Sequence, residues 1–436
     1  MDMTGSANLN PMPDFRPFPA LRYAHDLDEA LVLAPPYDVL SREDVDELHT
    51  RHPDNITHID VPEDQDYDRA AELLWSWVED GVLISDNDDT FTVYRMSFTD
   101  ASGHPREIVG VMGGLEVVDE GSTPGPGRSD QREFGHHAGI VDETGTSIPG
   151  RTTVLPHERV TAKASTDRLE LMRATAANTS PIWGLSLAPG LTEALRAPGL
   201  PVGSVTVDGV THAVEKVADP ARIAEIREIL ASDDVLIADG HHRYGVSRVY
   251  RNEVRSASGR RDTRAEHTLA FVSELVEDQL VLDAIHRLYS GITPEALREA
   301  LAAYFDFSPV PEVTPGILDE MVQRSRLVLL WPDHSAEWLT PKPGAFDTIR
   351  CLDGVWLETA LSDTGADVSY QHGLDETLSC LATRDYTAGV LIRPTSIEEI
   401  RRTAREGLLM PPKSTFFTPK LLTGWVIRPT EPLSGQ

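Results

Sequence analysis

Apolar residues recur at helical spacing through AAELLWSWVED (70–80) and again through PARIAEIREILASDD (220–234). The spacing predicts two amphipathic helices, the first ending near Gly81. Apolar and polar positions alternate in TFTVYRMSF (90–98), which predicts a strand. REIVGVMGGLEVV (106–118) reads as a second strand, and its glycines predict a bulge. VLIAD (235–239) is a short continuous apolar run, the signature of a buried strand, and a helical pattern follows it in HRYGVSRVYRNEVR (242–255). HTLAFVSELV, LVLDAIHRL, LVLLW, GVLIRP and GWVIRP are further strand candidates. STDRLELMRATAANTSPI, VWLETALSDTG and IEEIRRTAREG are helix candidates. Two starts carry capping chemistry: Ser41 with Asp44 three residues on, and Thr293 followed by Pro294. Hairpin-like pairs and crossovers mix along the chain, so the expected fold class is mixed α/β, or α+β.

The punctuation divides the chain into an N-terminal α/β region at 1–120 with a PPYDV turn, a flexible Gly-, Pro- and Ser-rich insertion at 121–150, a core at 151–290 and a C-terminal α/β region at 291–436. A chain of 436 residues has room for roughly two or three such bodies. Charge narrows the partners. With 39 Lys and Arg against 70 Asp and Glu, the formal net charge is -31, which repels nucleic-acid backbones and anionic membranes. A pocket for a small anion needs only a few local donors, so a nucleotide is compatible with that surface. The two cysteines, Cys351 and Cys380, form no CxxC and no disulfide framework, which suits a reducing compartment. The first residues lack the basic and apolar regions of a signal peptide, and no apolar run approaches the ~20 residues of a membrane span; a cytoplasmic protein is expected.

The densest chemistry is ADGHHRYGVS (238–247). A buried strand ends at Asp239, turns at Gly240 and gives way to a helix at about His241. First-turn helix amides have no internal partners and the dipole is positive there, so an anion is bound by backbone N–H groups, with His241, His242 and Arg243 as further donors. Asp239 would stand beside that anion, as a ligand for Mg²⁺ or as acceptor of a hydroxyl proton. In TVLPHERV, His157, Glu158 and Arg159 follow another apolar run; Glu158 is a second candidate base or metal ligand, and Arg159 a phosphate or substrate contact. MPPKSTFFTPK places Lys413, Ser414, Thr415 and Lys420 in a proline-bounded loop whose lysines and hydroxyls suit phosphates, although P-loop spacing is absent. Asp38 follows the rigid PPYD turn, and His286 with Arg287 stands at a strand end in AIHRL. There is no HExxH, GxSxG or cysteine-rich zinc pattern.

Together PPYDVLS, LPHERV, ADGHHRY, AIHRL and PPKSTFFTPK, in that order, resemble the domain-of-unknown-function-1015 (DUF1015) family over nearly the whole chain. DGHHR also resembles the signature of the ParB/sulfiredoxin superfamily, which includes partition CTPases, sulfiredoxins and free-serine kinases. The resemblance implies a ParB/sulfiredoxin-like nucleotide-binding core and an enzyme that uses ATP and Mg²⁺ to convert L-serine to O-phospho-L-serine. It implies phosphates at Gly240, His241 and Arg243, closed over by Lys413, Ser414, Thr415 and Lys420. Asp239, Glu158 and His242 would be the catalytic set, with Asp239 or Glu158 as base or metal ligand. Asp38, His157, Arg159, His286 and Arg287 would serve the substrate. The alternative is a ParB-like regulatory or partition protein that binds nucleotide without kinase activity; it needs a basic DNA-binding module, against which the net charge of -31 argues. A sulfiredoxin-like reductase needs a cysteine at the turn, where His241 and His242 stand instead.

Overall fold

A computed structural model of the chain describes residues 13–25, 27–100, 103–119, 154–156, 165–383, 385–406, 410 and 413–432. Two compact units divide the chain: residues 1–280 with 404–408 and 419–436, and residues 281–403 with 409–418.

In the first unit the alternating segments form β2 (Phe91–Thr99) and β3 (Pro105–Glu116), paired antiparallel; the short β1 (Phe15–Arg16) also pairs with β3. The expected bulge in β3 does not occur. Its register runs unbroken from Thr99 opposite Pro105 to Thr92 opposite Met112, and from Ser273 opposite Gly110 to His267 opposite Glu116. The glycines answer to packing instead. A Cβ on Gly110 would lie 2.4 Å from the Phe271 ring, and one on Gly113 would lie 2.5 Å from the Phe15 ring. The remaining strands are β4 (Val154–Pro156), β5 (Ile182–Ser186), β6 (Leu200–Val207), β7 (Val210–Val217), β8 (Val235–Asp239) and β9 (His267–Glu274). They complete a nine-stranded sheet in the order β4-β8-β5-β9-β3-β2-β7-β6, with β1 beside β3. β8 runs parallel to β4 and antiparallel to β5.

The helices of this unit that bear on the site are α1 (Arg42–Arg51), α2 (Tyr67–Glu79), α3 (Ser165–Thr175), α4 (Pro220–Leu230) and α5 (His241–Ser258). α1 opens with the anticipated capping box: Asp44 N–H donates to Ser41 Oγ, and Ser41 N–H to the Asp44 carboxylate. Phe91, Val93, Val111, Leu115, Val235 and Ile237 belong to the core against the sheet, and Leu74 and Trp77 of α2 belong to a second cluster with Leu21, Ile56 and Ile427. The hairpin β6–β7, absent from the expected strands, turns at Asp208 and Gly209, both at positive φ (50° and 77°), a two-residue Asp-Gly turn between Val- and Thr-rich runs. The outer strand, LPVGSVTV, is half exposed and carries a proline and a glycine in its first half, which therefore has no apolar run.

The second unit opens with β10 (Val281–Asp283) and is built on a six-stranded antiparallel sheet. That sheet contains β11 (Ile285–Ser290), β12 (Phe305–Val310), β13 (Leu327–Leu330), β14 (Ala336–Pro341), β15 (Asp367–His372) and β16 (Ala388–Leu391), in the order β12-β14-β13-β16-β11-β15. β10 pairs with β17 (Phe416–Thr418), so the end of MPPKSTFFTPK is a strand rather than loop. GWVIRP yields only a two-residue strand, Arg428–Pro429. The mixed α/β class holds for the chain. No helix among the described residues is long and apolar enough to cross a membrane.

Candidate anion site at the β8–α5 junction

β8 is buried from Val235 to Ala238 and becomes partly exposed at Asp239. Its register against β5 shifts between Ile237 and Asp239, the kind of irregularity that re-aims a side chain at a strand end. Gly240 then takes φ +84°, ψ 28°, a left-handed conformation that an L side chain resists. A Cβ there would also lie 3.0 Å from Arg243 Nε and from Ile182. Gly240 is the N-cap of the 18-residue α5, and it brings no side-chain oxygen to the first-turn amides. The positive end of a long helix thus opens at the turn with no capping side chain from its N-cap residue.

Cations gather beside it. Lys420 Nζ lies 3.3 Å and Arg243 Nη2 3.5 Å from Asp239 Oδ2, while Asp239 Oδ1 accepts from Gly240 N–H at 2.9 Å. Burial alone would raise the Asp239 pKa, but the charges of Lys420 and Arg243 outweigh it and hold the carboxyl well below the usual carboxylate range. Arg243 Nη1 donates to the Pro181 carbonyl, and its Nε is buried without a hydrogen-bond partner among the described residues. Burial would lower the Arg243 pKa; the charges of Asp239, Asp38, Tyr37 and Asp60 reverse this and raise it. Pro36, Pro181, Trp183, Asp239, Arg243 and Lys420 line a narrow cavity at this point.

A bracing network behind Arg243 escapes sequence reading. Tyr37, in the PPYD turn, has the Arg168 guanidinium 3.9 Å from its ring centroid and that of Arg243 at 5.8 Å. Arg168 is held by the buried Asp60, Nη1 donating to Oδ1 at 2.9 Å, and Thr179 Oγ1 donates to the same oxygen at 2.6 Å. Burial pushes the Tyr37 phenol up, against the pull of the two arginines. No motif links residues 37, 60, 168 and 179; only the chain's folding brings them together.

Of the anticipated residues, Asp239, Gly240, Arg243 and Lys420 meet here, and His241 and His242 occupy the first turn of α5. The charge of His241 contributes to the low Asp239 pKa. Asp38 is exposed in the turn, and its charge acts on Arg243 and Tyr37. His157, Glu158 and Arg159 lie outside the described residues; the described strand before them, β4, runs parallel to β8. Lys413, Ser414, Thr415, His286 and Arg287 belong to the second unit. There Arg287 is 4% exposed and donates through Nη1 to the carbonyls of Ile285 and Lys413, and His286 Nδ1 accepts from Ile392 N–H at 3.3 Å. Thr395 Oγ1 donates to the Ser414 carbonyl at 3.0 Å, and Lys413 takes φ +58°.

The described groups at the β8–α5 turn fit an anion better than a metal ion. Asp239 is already compensated by two cations, and no group of three His, Cys, Asp or Glu side chains among the described residues is placed to hold a metal. A protein-held Mg²⁺ on Asp239 is therefore not supported by these residues.

Sequence comparison places this architecture in a family. Residues 15–124 and 130–355 match the family described as protein of unknown function (DUF1015). The chain belongs to the DUF1015 family. No curated protein sequence matches it. Similar solved structures include a conserved hypothetical protein from Pyrococcus furiosus, 11% identical, covering 61% of this chain and 87% of that one at a TM-score of 0.34. A free serine kinase in complex with AMP is 13% identical over 61% of this chain and 83% of its own, TM-score 0.34. SbnI with a C-terminal truncation, from Staphylococcus aureus, is 14% identical over 63% of this chain and 83% of its own, TM-score 0.34. Superpositions this loose transfer neither a residue nor a reaction to this DUF1015 member.

Proposed function

We propose that the protein is an ATP-dependent small-molecule kinase that phosphorylates free L-serine to O-phospho-L-serine. The observation that carries this reading is the β8–α5 junction, where the N-terminus of α5, whose N-cap Gly240 brings no capping side chain, meets Lys420 and Arg243. Phosphoryl transfer asks mainly for positioned phosphates and neutralised charge, and these are the means the junction offers. The resemblance of DGHHR to the free-serine-kinase signature supports the choice of reaction.

In this reading the first-turn amides of His241, His242 and Arg243 hold phosphate oxygens, with Lys420 and the Arg243 guanidinium neutralising them. The serine hydroxyl oxygen attacks the γ-phosphorus, the bond from that phosphorus to the β–γ bridging oxygen breaks, and ADP leaves with the electron pair. The hydroxyl proton goes to a carboxylate. Asp239, paired with two cations and held ionised, is a weak base for this step, so Glu158 takes that role in the proposal. Asp239 acts instead by aiming Lys420 and Arg243. Asp38 and Arg159 are assigned to the amino and carboxylate groups of serine.

The test is phosphorus NMR of the purified protein with Mg²⁺, ATP and L-serine, beside Asp239→Asn. The expected outcome is a phosphoserine signal that the variant loses by about 100-fold or more, mostly through a raised KM for ATP, with no shift of the pH profile. ATP left intact across a panel of amino acids would overturn the kinase reading; continued ADP binding in that case would point to a regulatory nucleotide site.

A further inference from the structure

The sequence motifs leave one large feature of the first unit unassigned: a cleft of about 500 Å³ beside Lys420. We propose that this cleft takes the base and ribose of the nucleotide whose phosphates lie at the β8–α5 turn, an inference that rests on the nucleotide reading above. Four segments supply its walls: Pro36, Val39 and Leu40 of the PPYDVL turn, Leu48 of α1, Val207 and Val210 of the β6–β7 hairpin, and Leu422 of the strap 419–423.

Continuity with the turn comes first. Lys420 and Pro36 line both this cleft and the narrow cavity that holds Asp239 and Arg243. A ligand with phosphates on Lys420 therefore has this cleft as the adjoining space. The walls are also tied together. Ala34 and Thr423 exchange backbone hydrogen bonds at 2.8 and 3.2 Å, joining the start of the Pro-Pro turn to the strap that carries Lys420. Leu422 N–H donates to Tyr94 Oη at 3.0 Å, and the same oxygen lies 2.8 Å from Nδ1 of the buried His212, another lining residue. Burial holds His212 uncharged, its pKa down to about 4, so the wall presents no cation there at neutral pH.

Size and polarity then choose the occupant. A volume of about 500 Å³ falls in the usual range for a drug-sized ligand and far exceeds a serine. A serine would fill only a small part of that space and leave the apolar surface of Val39, Leu40, Val207 and Val210 uncovered. A flat heterocycle gains from the same surface. At the lining Arg51 is paired with Glu47 at 2.9 Å, while Asp44 and Asp208 add negative charge that accepts from ribose hydroxyls or an exocyclic amine and leaves the phosphates to Lys420.

Calorimetric titration with ADP and with inorganic pyrophosphate separates the cleft from the turn. Val210→Trp fills the cleft, and Val39→Glu, at a residue 39% exposed, adds charge to its wall with little risk to folding. Each is expected to weaken ADP by about tenfold or more while pyrophosphate affinity stays within about twofold, a loss confined to the nucleoside half. Variants that bind both ligands as the parent does would overturn this inference and leave the nucleotide reading standing. Variants that lose both ligands equally would also overturn it. A parent protein that binds neither ligand would remove the nucleotide reading itself, and this inference with it.

Discussion

Histidine stands next to arginine in DGHHRY, where a strand of the first unit's sheet runs into a helix, and in IHRL, within a strand of the second unit's sheet. In composition the two segments are alike. At the first, Arg243 meets the carboxylate of Asp239, keeps a buried Nε without a partner among the described residues, and borders a helix start whose N-cap is a glycine. At the second, His286 and Arg287 are 1% and 4% exposed and hold backbone groups of Ile285, Ile392 and Lys413. The difference lies in the backbone. A strand that runs into a helix leaves amides facing outward, whereas mid-sheet side chains meet loop carbonyls that need donors. The same residue types therefore line the proposed anion site in one place and brace a loop in the other.

The sharpest way to break that contrast is Lys420→Met. Removing one of the two cations at Asp239 is expected to weaken ADP binding about 100-fold, the scale of one charge-assisted contact, with little change in melting temperature. Unchanged affinity by calorimetry would strip the first site of its assigned purpose. A smaller effect of the opposite kind is expected from Arg287→Ala. Two carbonyls lose their donor, so chemical denaturation should show a loss of about 2 kcal/mol in stability. Weaker ADP binding with undiminished stability would erase the contrast.

The smallest effect concerns pH. Burial, with the charges of Arg287 and His372, pushes the His286 pKa down to about 4. The unfolded chain then takes up the proton first, so the stability of the fold is full above an ordinary histidine pKa of about 6.5 and falls as pH drops from there to about 4. His286→Gln keeps an acceptor for Ile392 N–H and should remove about 1 kcal/mol of that acid loss at pH 5.5, read from denaturation midpoints. An identical slope in the variant would mean that His286 does not carry it.

How much of this was legible varies by segment. The capping box at Ser41 and Asp44, the buried run of β8 and the start of α5 follow from local chemistry, and the structure agrees. The glycines of β3 suggest a bulge that the fold does not contain, because a one-dimensional pattern does not distinguish a kink from a place where a ring from another strand comes close. The strands β12, β14 and β15 have no clear period, being half exposed and set among short turns, whereas the β6–β7 hairpin is marked by Asp208-Gly209 at its turn. At the candidate site, DGHHR and Lys420 could be singled out by type and spacing. Tyr37, Asp60, Arg168 and Thr179 could not, since each is unremarkable among its neighbours in sequence.

The sequence by itself determined the local chemistry: where a strand stops, where only glycine tolerates the turn, which helix has a glycine as its N-cap, and which family the motifs compose. Those are properties of neighbouring residues, set by φ/ψ sterics and by the amides that a helix start leaves over. The tertiary structure decided which charges meet. Asp239 is held ionised by Lys420, 181 residues away, and Arg243 is backed by a ring and a second arginine from two other segments. Electrostatic strength depends on separation in space and on burial, and neither quantity exists until the chain has folded.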